Sequence, residues 1–149
     1  MSNVGEILIV DDNEEQVAFL SQILDNNGYR HAVARDGVDA LNKMQASPPA
    51  LVLLDIMMPR KSGVNVLQQM KKSPDLTSIP VIIITGAAQV LGVDMKTGQH
   101  KPKESYEDDF SRSFGTVLQE ALQGLSPPAL IEKPIDPPAL IAKIRELLP

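Results

Sequence analysis

Two apolar patterns take turns along this chain. Short unbroken runs of leucine and β-branched residues alternate with segments whose apolar side chains recur every three or four positions. The first run, Glu6 to Val10, reads as a strand and stops on Asp11-Asp12-Asn13. An aspartate or asparagine just before a periodic segment is a helix N-cap signal. The helix it starts carries Val17, Leu20, Ile23 and Leu24 on one face, with Gly28 as its stop. Tyr29 to Ala34 predicts a second strand, closed by a turn at Asp36-Gly37. A short helix from Val38 to Gln45 follows, with Val38, Leu41 and Met44 facing inward, and Ser47-Pro48-Pro49 breaks it.

The third run, Ala50 to Asp55, ends abruptly on a carboxylate, with Met58-Pro59 and Gly63 shaping the loop behind it. Gly63 opens a helix with Val64, Val66, Leu67 and Met70 as its apolar positions, and Pro74 lies beyond its end. Pro80 precedes a fourth run, Val81 to Thr85, and Ala129 to Lys133 makes a fifth. Asp136 and Pro137 form an N-cap and first-turn pair for a last helix with Leu140, Ile141, Ile144, Leu147 and Leu148 inward.

Strand and helix alternating in this way predict an α/β fold, a doubly wound five-stranded parallel sheet with helices on both faces. Unbroken apolar runs suit strands buried on both faces. In a parallel sheet the strand ends share one edge, and open α/β sheets hold their ligands outside the carboxyl ends. Asp11, Asp12, Asp55, Thr85 and Lys133 are therefore expected to converge there.

The stretch between Thr85 and Lys133 is far longer than the roughly 10–12 residues that a strand-to-strand crossover needs. Residues 91–103 are polar, contain Gly92, Gly98 and Pro102, and lack periodicity. Tyr106, Phe110, Phe114, Val117, Leu118, Ala121, Leu122 and Leu125 then trace one helical stripe. The expected organisation is one domain over residues 1–149, with an insertion at about 88–104 and a helix at about 105–123. The stripe reads first as helix-to-sheet packing. Any part that overhangs the core would form a partner or homodimer surface.

Composition narrows the reading. An apolar content of 43 % and a charged content of 22 % argue against disorder. The net charge of −5 gives no cationic surplus with which to neutralise nucleic acid phosphates. No apolar stretch approaches a membrane span, and no basic region followed by an apolar segment opens the chain. The absence of cysteine excludes disulfides and thiol chemistry and fits a cytoplasmic location. His31 and His100 stand in contexts that suit structural or solvated roles rather than a metal site.

Three carboxylates at one edge repel one another by on the order of 4 kcal/mol per pair at about 4 Å and an effective dielectric of about 20. A cation relieves this. All-oxygen donors with few fixed contacts suit Mg²⁺, which takes one or two carboxylates together with phosphate oxygens. Mg²⁺ and the Lys133 ammonium would balance the three aspartates. An incoming phosphoryl group would meet the metal, the ammonium and the Thr85 hydroxyl, and Asp55 is placed to attack phosphorus as carboxylates do in aspartyl-phosphate chemistry.

These pieces together resemble the receiver domain of two-component response regulators, the chemotaxis-type flavodoxin-like fold of bacterial signalling. The carriers are Asp11-Asp12, Asp55 with Met58-Pro59 and Gly63, Thr85-Gly86, and Lys133-Pro134. The resemblance runs from about Glu6 to Leu148. It implies that Asp55 is the phosphoacceptor, that Asp12 and Asp55 bind Mg²⁺ directly, that Asp11 helps through water, and that the Met57 backbone carbonyl is a further ligand. Thr85 would swing to the phosphoryl oxygen, Lys133 would pair with it, and the Lys133-Pro134 bond would be cis. The phosphodonor would be a histidine kinase or histidine phosphotransfer protein.

The chain departs from the family pattern at four places. The span between Thr85 and Lys133 is about twice the usual one, which is the reason to expect an insertion. The position three before the lysine, commonly aromatic, is Leu130. Met57 and Ala87, two positions after Asp55 and Thr85, offer no side-chain hydrogen bond to a hydrolytic water, so a long-lived phosphoryl group is expected. No output domain follows Pro149, which implies either a stand-alone receiver acting by protein contact or a receiver cut from a longer chain.

Two rivals are weaker. A phosphohydrolase of the haloacid-dehalogenase type would need an aspartate where Met57 stands. A flavin-binding module would need a Ser/Thr/Gly-rich phosphate loop where Asp11 to Glu15 is acidic. The protein is therefore expected to be a phosphoacceptor and not an enzyme.

Overall fold

In the computed structural model, residues 5–56, 62–85 and 129–148 are described. Strands β1 (Ile7–Val10), β2 (His31–Ala34), β3 (Leu51–Asp55), β4 (Val81–Thr85) and β5 (Ala129–Glu132) form one sheet. Their order is β2-β1-β3-β4-β5, and every pairing is parallel. β1 and β3 are buried along their whole length, as their unbroken apolar runs require.

Alternation along the strands splits the core into two layers. Leu8, Val10, Val52, Leu54, Val81 and Ile83 face helices α2 (Gly37–Ala46) and α3 (Ser62–Lys72). Ile7, Ile9, Leu51, Leu53, Ile82, Ile84 and Ile131 face α1 (Glu14–Asn26) and the C-terminal helix Pro137–Leu147. Fully burying each such side chain contributes about 1.5–3 kcal/mol. The architecture is the doubly wound, five-stranded parallel sheet that the alternation predicted.

Helix faces follow the sequence pattern with one correction. Val17, Leu20, Ile23 and Leu24 of α1 are buried, as are Val64, Val66, Leu67 and Met70 of α3. Leu140, Ile141 and Ile144 bury the C-terminal helix. In α2, however, Val38 is 72 % exposed. Asp36 is not part of a free turn but the N-cap, its carboxylate accepting from the Asp39 N–H at 2.8 Å. Gly37, Ala40 and Met44 face the sheet, and Val38 lies about 130° around the helix from the centre of that arc. Gly28 does end α1, at φ +79°, where a side chain is disfavoured. The expected insertion, the 105–123 helix and its aromatic stripe, and His100, lie outside the described residues.

Candidate functional site: an acidic cluster at the carboxyl edge of the sheet

The site begins where β1 runs out. The Asp11 N–H donates to the Ala34 carbonyl at 3.0 Å, which extends the β1–β2 ladder by one residue. The Asp11 side chain is 1 % exposed. Its Oδ1 accepts from the Asn13 N–H at 2.9 Å, and the Asn13 Oδ1 accepts from the Gln16 N–H at 2.9 Å. Asn13 thus caps α1 and fixes Asp11 at once. Of the three candidates for a capping role, it is the one that caps the helix, while Asp11 and Asp12 remain available at the edge.

Asp55 closes β3 two strands away from β2. It is 5 % exposed and in register with Ile84, and the next amide, Ile56 N–H, donates to the Ile84 carbonyl at 3.2 Å. One carboxylate oxygen from each of Asp11, Asp12 and Asp55 lies within 4.8 Å of the others. Lys133 follows β5, and its Nζ stands 3.7 Å from Asp55 Oδ2, an ion pair rather than a hydrogen bond. The Lys133-Pro134 bond is cis. Thr85 ends β4 in register with Glu132, which brings its backbone to the same edge; its side chain, Met57 and Ala87 lie outside what is described. Leu130, at the commonly aromatic position, packs partly buried against the α2–α3 layer.

Asp11, Asp12, Asp55 and Lys133 are thus brought together as the pattern required. The residues that sequence reading undervalued are Asn13, read only as a cap, and Gly63, read as a loop former, helix start and motif member but not for its closeness to the Asp55–Ile56 peptide. A further pair, Arg35 to Glu14 at 3.1 Å, ties the end of β2 to the start of α1. His31 sits beside Asp25 at 3.4 Å, remote from the acidic cluster in sequence and at the opposite end of β2. This agrees with its structural reading.

The donor set fits a hard divalent cation. It is all carboxylate oxygen, and Asp11 Oδ2 is buried without a hydrogen-bond partner among the described residues. A buried acceptor of that kind is costly unless something meets it.

Burial pushes the Asp11 carboxyl up from 3.8 to about 6, and the neighbouring Asp55 charge adds to this. The Asn13 N–H and the Lys133 ammonium act in the opposite direction. The folded, metal-free protein therefore holds this proton more tightly than the unfolded chain. Its stabilising contribution is complete below about pH 3.8 and is lost as the pH rises through about 6. Asp11→Asn should remove that dependence. In chelator, the variant should melt higher than the parent at pH 7.5, and the gap should narrow at pH 5. Thermal unfolding curves at the two pH values check this, and parallel shifts of parent and variant would contradict it.

Comparison with known proteins places this geometry in a family. A family model for the response regulator receiver domain matches residues 7–98. Over 122 residues the chain is 35 % identical to the transcriptional regulatory protein CpxR of Klebsiella pneumoniae, covering 79 % of this chain and 51 % of CpxR. Over 139 residues it is 30 % identical to the response regulator MprA of a Mycobacterium species, covering 88 % of this chain and 60 % of MprA. The chain thus spans about half the length of these curated relatives. Among solved structures, the receiver domain of a histidine kinase from Syntrophus aciditrophicus superposes with a TM-score of 0.68 at 27 % identity, covering 97 % of this chain and 89 % of that one. A receiver domain protein from Methanospirillum hungatei gives 0.67 at 26 %, covering 97 % and 93 %. With the motif residues gathered at one sheet edge and the family model spanning most of the chain, the protein belongs to the response regulator receiver domains of two-component signalling.

Proposed function

We propose that Asp55 is the phosphoacceptor of a Mg²⁺-dependent phosphorelay step. The observation that carries this is the Asp55 carboxylate itself, 5 % exposed at the end of β3, with two further carboxylates and one ammonium around it. A carboxylate oxygen of Asp55 attacks phosphorus and forms an O–P bond, while the P–N bond to the donor histidine breaks and the imidazole leaves. Asp12 and Asp55 would hold Mg²⁺ directly and Asp11 through water, with the Met57 carbonyl as a further protein ligand. When bound, the ion neutralises charge on the phosphoryl oxygens. Lys133 pairs with the phosphoryl group from the β5 side, and the Thr85 hydroxyl meets it from β4.

The donor is a histidine kinase or histidine phosphotransfer protein of the cytoplasm. The receiver signals by protein contact, including contact with a second copy, and any part of the 105–123 stripe that overhangs the core is the proposed surface. The acidic balance of the chain supports protein rather than nucleic acid or membrane as partner. Among the described residues no helix is long and apolar enough to cross a membrane. The direct test is intact mass after incubation with acetyl phosphate, with and without Mg²⁺. A gain of one phosphoryl group that requires the metal is expected, and no gain in a folded sample would overturn the reading.

The receiver is a phosphoacceptor rather than a turnover enzyme. Met57 and Ala87 support a long-lived adduct, since neither side chain can orient water. Met57→Glu should shorten the lifetime by roughly tenfold, less than the 10²–10⁴ of a well-placed general base. Timed intact mass after donor removal measures both decays, and equal lifetimes would contradict this role for position 57.

A further inference from the structure

Gly63 makes an unusually close approach to the peptide that follows Asp55. A Cβ added there would stand 2.7 Å from the Asp55 carbonyl oxygen, 2.8 Å from Ile56 Cα and 3.0 Å from the Ile56 carbonyl oxygen. All three are backbone atoms, so no side chain can swing aside to relieve the contact. On its other side the same peptide is held by the Ile56 N–H bond to the Ile84 carbonyl, at 3.2 Å. The link that carries Asp55 out of β3 is thus clamped between β4 and the first turn of α3.

We infer that Gly63 is a positioning residue for Asp55: the bare Cα lets α3 close on the Asp55–Ile56 peptide and so fixes the carboxylate against Lys133 and the acidic pair. The inference rests on the phosphoacceptor reading above. α3 is anchored by Val64, Val66, Leu67 and Met70, each no more than 1 % exposed. Against those four side chains, the peptide lies at the very end of β3, where its bond to the β4 carbonyl of Ile84 is long, 3.2 Å. A methyl group at position 63 therefore displaces the peptide sooner than the helix, and the side chain it carries moves with it. A displacement on the order of 1 Å near reacting atoms can cost about a hundredfold in rate.

The test compares Gly63→Ala with Met70→Ala, which loosens the far end of α3 in the same core layer but seven residues from the close approach to the Asp55–Ile56 peptide. Amide hydrogen exchange is followed in the metal-free proteins, and acetyl phosphate labelling at saturating Mg²⁺. In Gly63→Ala, the Ile56 amide should exchange at least tenfold faster than the change shared by the Leu8 and Ile9 amides, and labelling should slow at least tenfold. In Met70→Ala all three amides should shift together, with labelling within twofold of the parent. Labelling of Gly63→Ala within twofold of the parent would overturn the inference, as would an equal loss in Met70→Ala.

If Gly63→Ala is unfolded in buffer, trimethylamine N-oxide is added until circular dichroism matches the parent. Slow labelling then supports positioning, and parental labelling refutes it. Should the parent itself take no label, the phosphoacceptor reading fails. The positioning inference is then decided by Mg²⁺ affinity in calorimetry, weakened at least tenfold in Gly63→Ala or unchanged.

Discussion

Asp55→Asn should take up no phosphoryl group under conditions that label the parent. The amide has nearly the volume and shape of the carboxylate, so the fold is kept while the nucleophilic oxygen anion is lost. Asp11 and Asp12 are also carboxylates within 4.8 Å of it, which makes the variant a sharp test. Asp11 is pinned by the Asn13 N–H, and Asp12 is exposed rather than seated beside the ammonium. Neither stands in the described pairing that Asp55 makes with Lys133. Intact mass of the two proteins reads the result directly. Labelling of the variant at the parental rate would move the acceptor to a neighbour and dissolve the role assigned to Asp55.

Lys133→Ala should lose about 10²- to 10³-fold in labelling rate, the scale of removing one preorganised charge partner of a developing anion. Two effects add. The ammonium that would neutralise the phosphoryl oxygens is absent, and three close carboxylates lose the nearest cation among the described residues. The second effect has its own signature. Mg²⁺ should bind the variant no more weakly than the parent, because the site has become more negative while keeping its oxygen donors. Labelling rates at saturating Mg²⁺ and metal titration by calorimetry separate the two. A parental rate in the variant would assign Lys133 to a merely structural ion pair. Lys133→Arg should recover only part of the rate, since the planar guanidinium differs in reach and shape from a point-like ammonium.

Much of this site was legible before any coordinates. Parallel topology alone gathers strand ends, so Asp11, Asp55 and Lys133 could be placed together from the positions where apolar runs stop. The helix faces of α1 and α3 were equally plain, because four apolar positions at helical spacing leave little freedom of phase. α2 was not. Its cues Val38, Leu41 and Met44 spread over about 120° of the helix surface, and the small residues Gly37 and Ala40, which give no apolar signal, take the sheet side with Met44.

Two aspects of the site were hidden in principle. That Asp11 Oδ2 is buried without a hydrogen-bond partner among the described residues is a product of tertiary packing, which no spacing rule records. The closeness of Gly63 to the Asp55–Ile56 peptide is a tertiary approach between elements, and a glycine opening a helix signals only conformational permission.

β5 brings a consequence of its own. It has four residues and, among the described residues, stands at one border of the sheet and pairs with β4 alone. Border strands are among the first pieces of a native protein to lift away, at a free energy well below that of global unfolding. Each time β5 detaches, Lys133 leaves with it, while Asp11, Asp12 and Asp55 stay mounted on the two innermost fully buried strands. The fluctuation leaves the acidic nest whole and strips it of its ammonium. On the phosphoacceptor reading, reactivity toward a phosphodonor would be graded by how often the sheet's border is closed, and anything that grips β5 from outside would act as a rheostat on Asp55 without touching it.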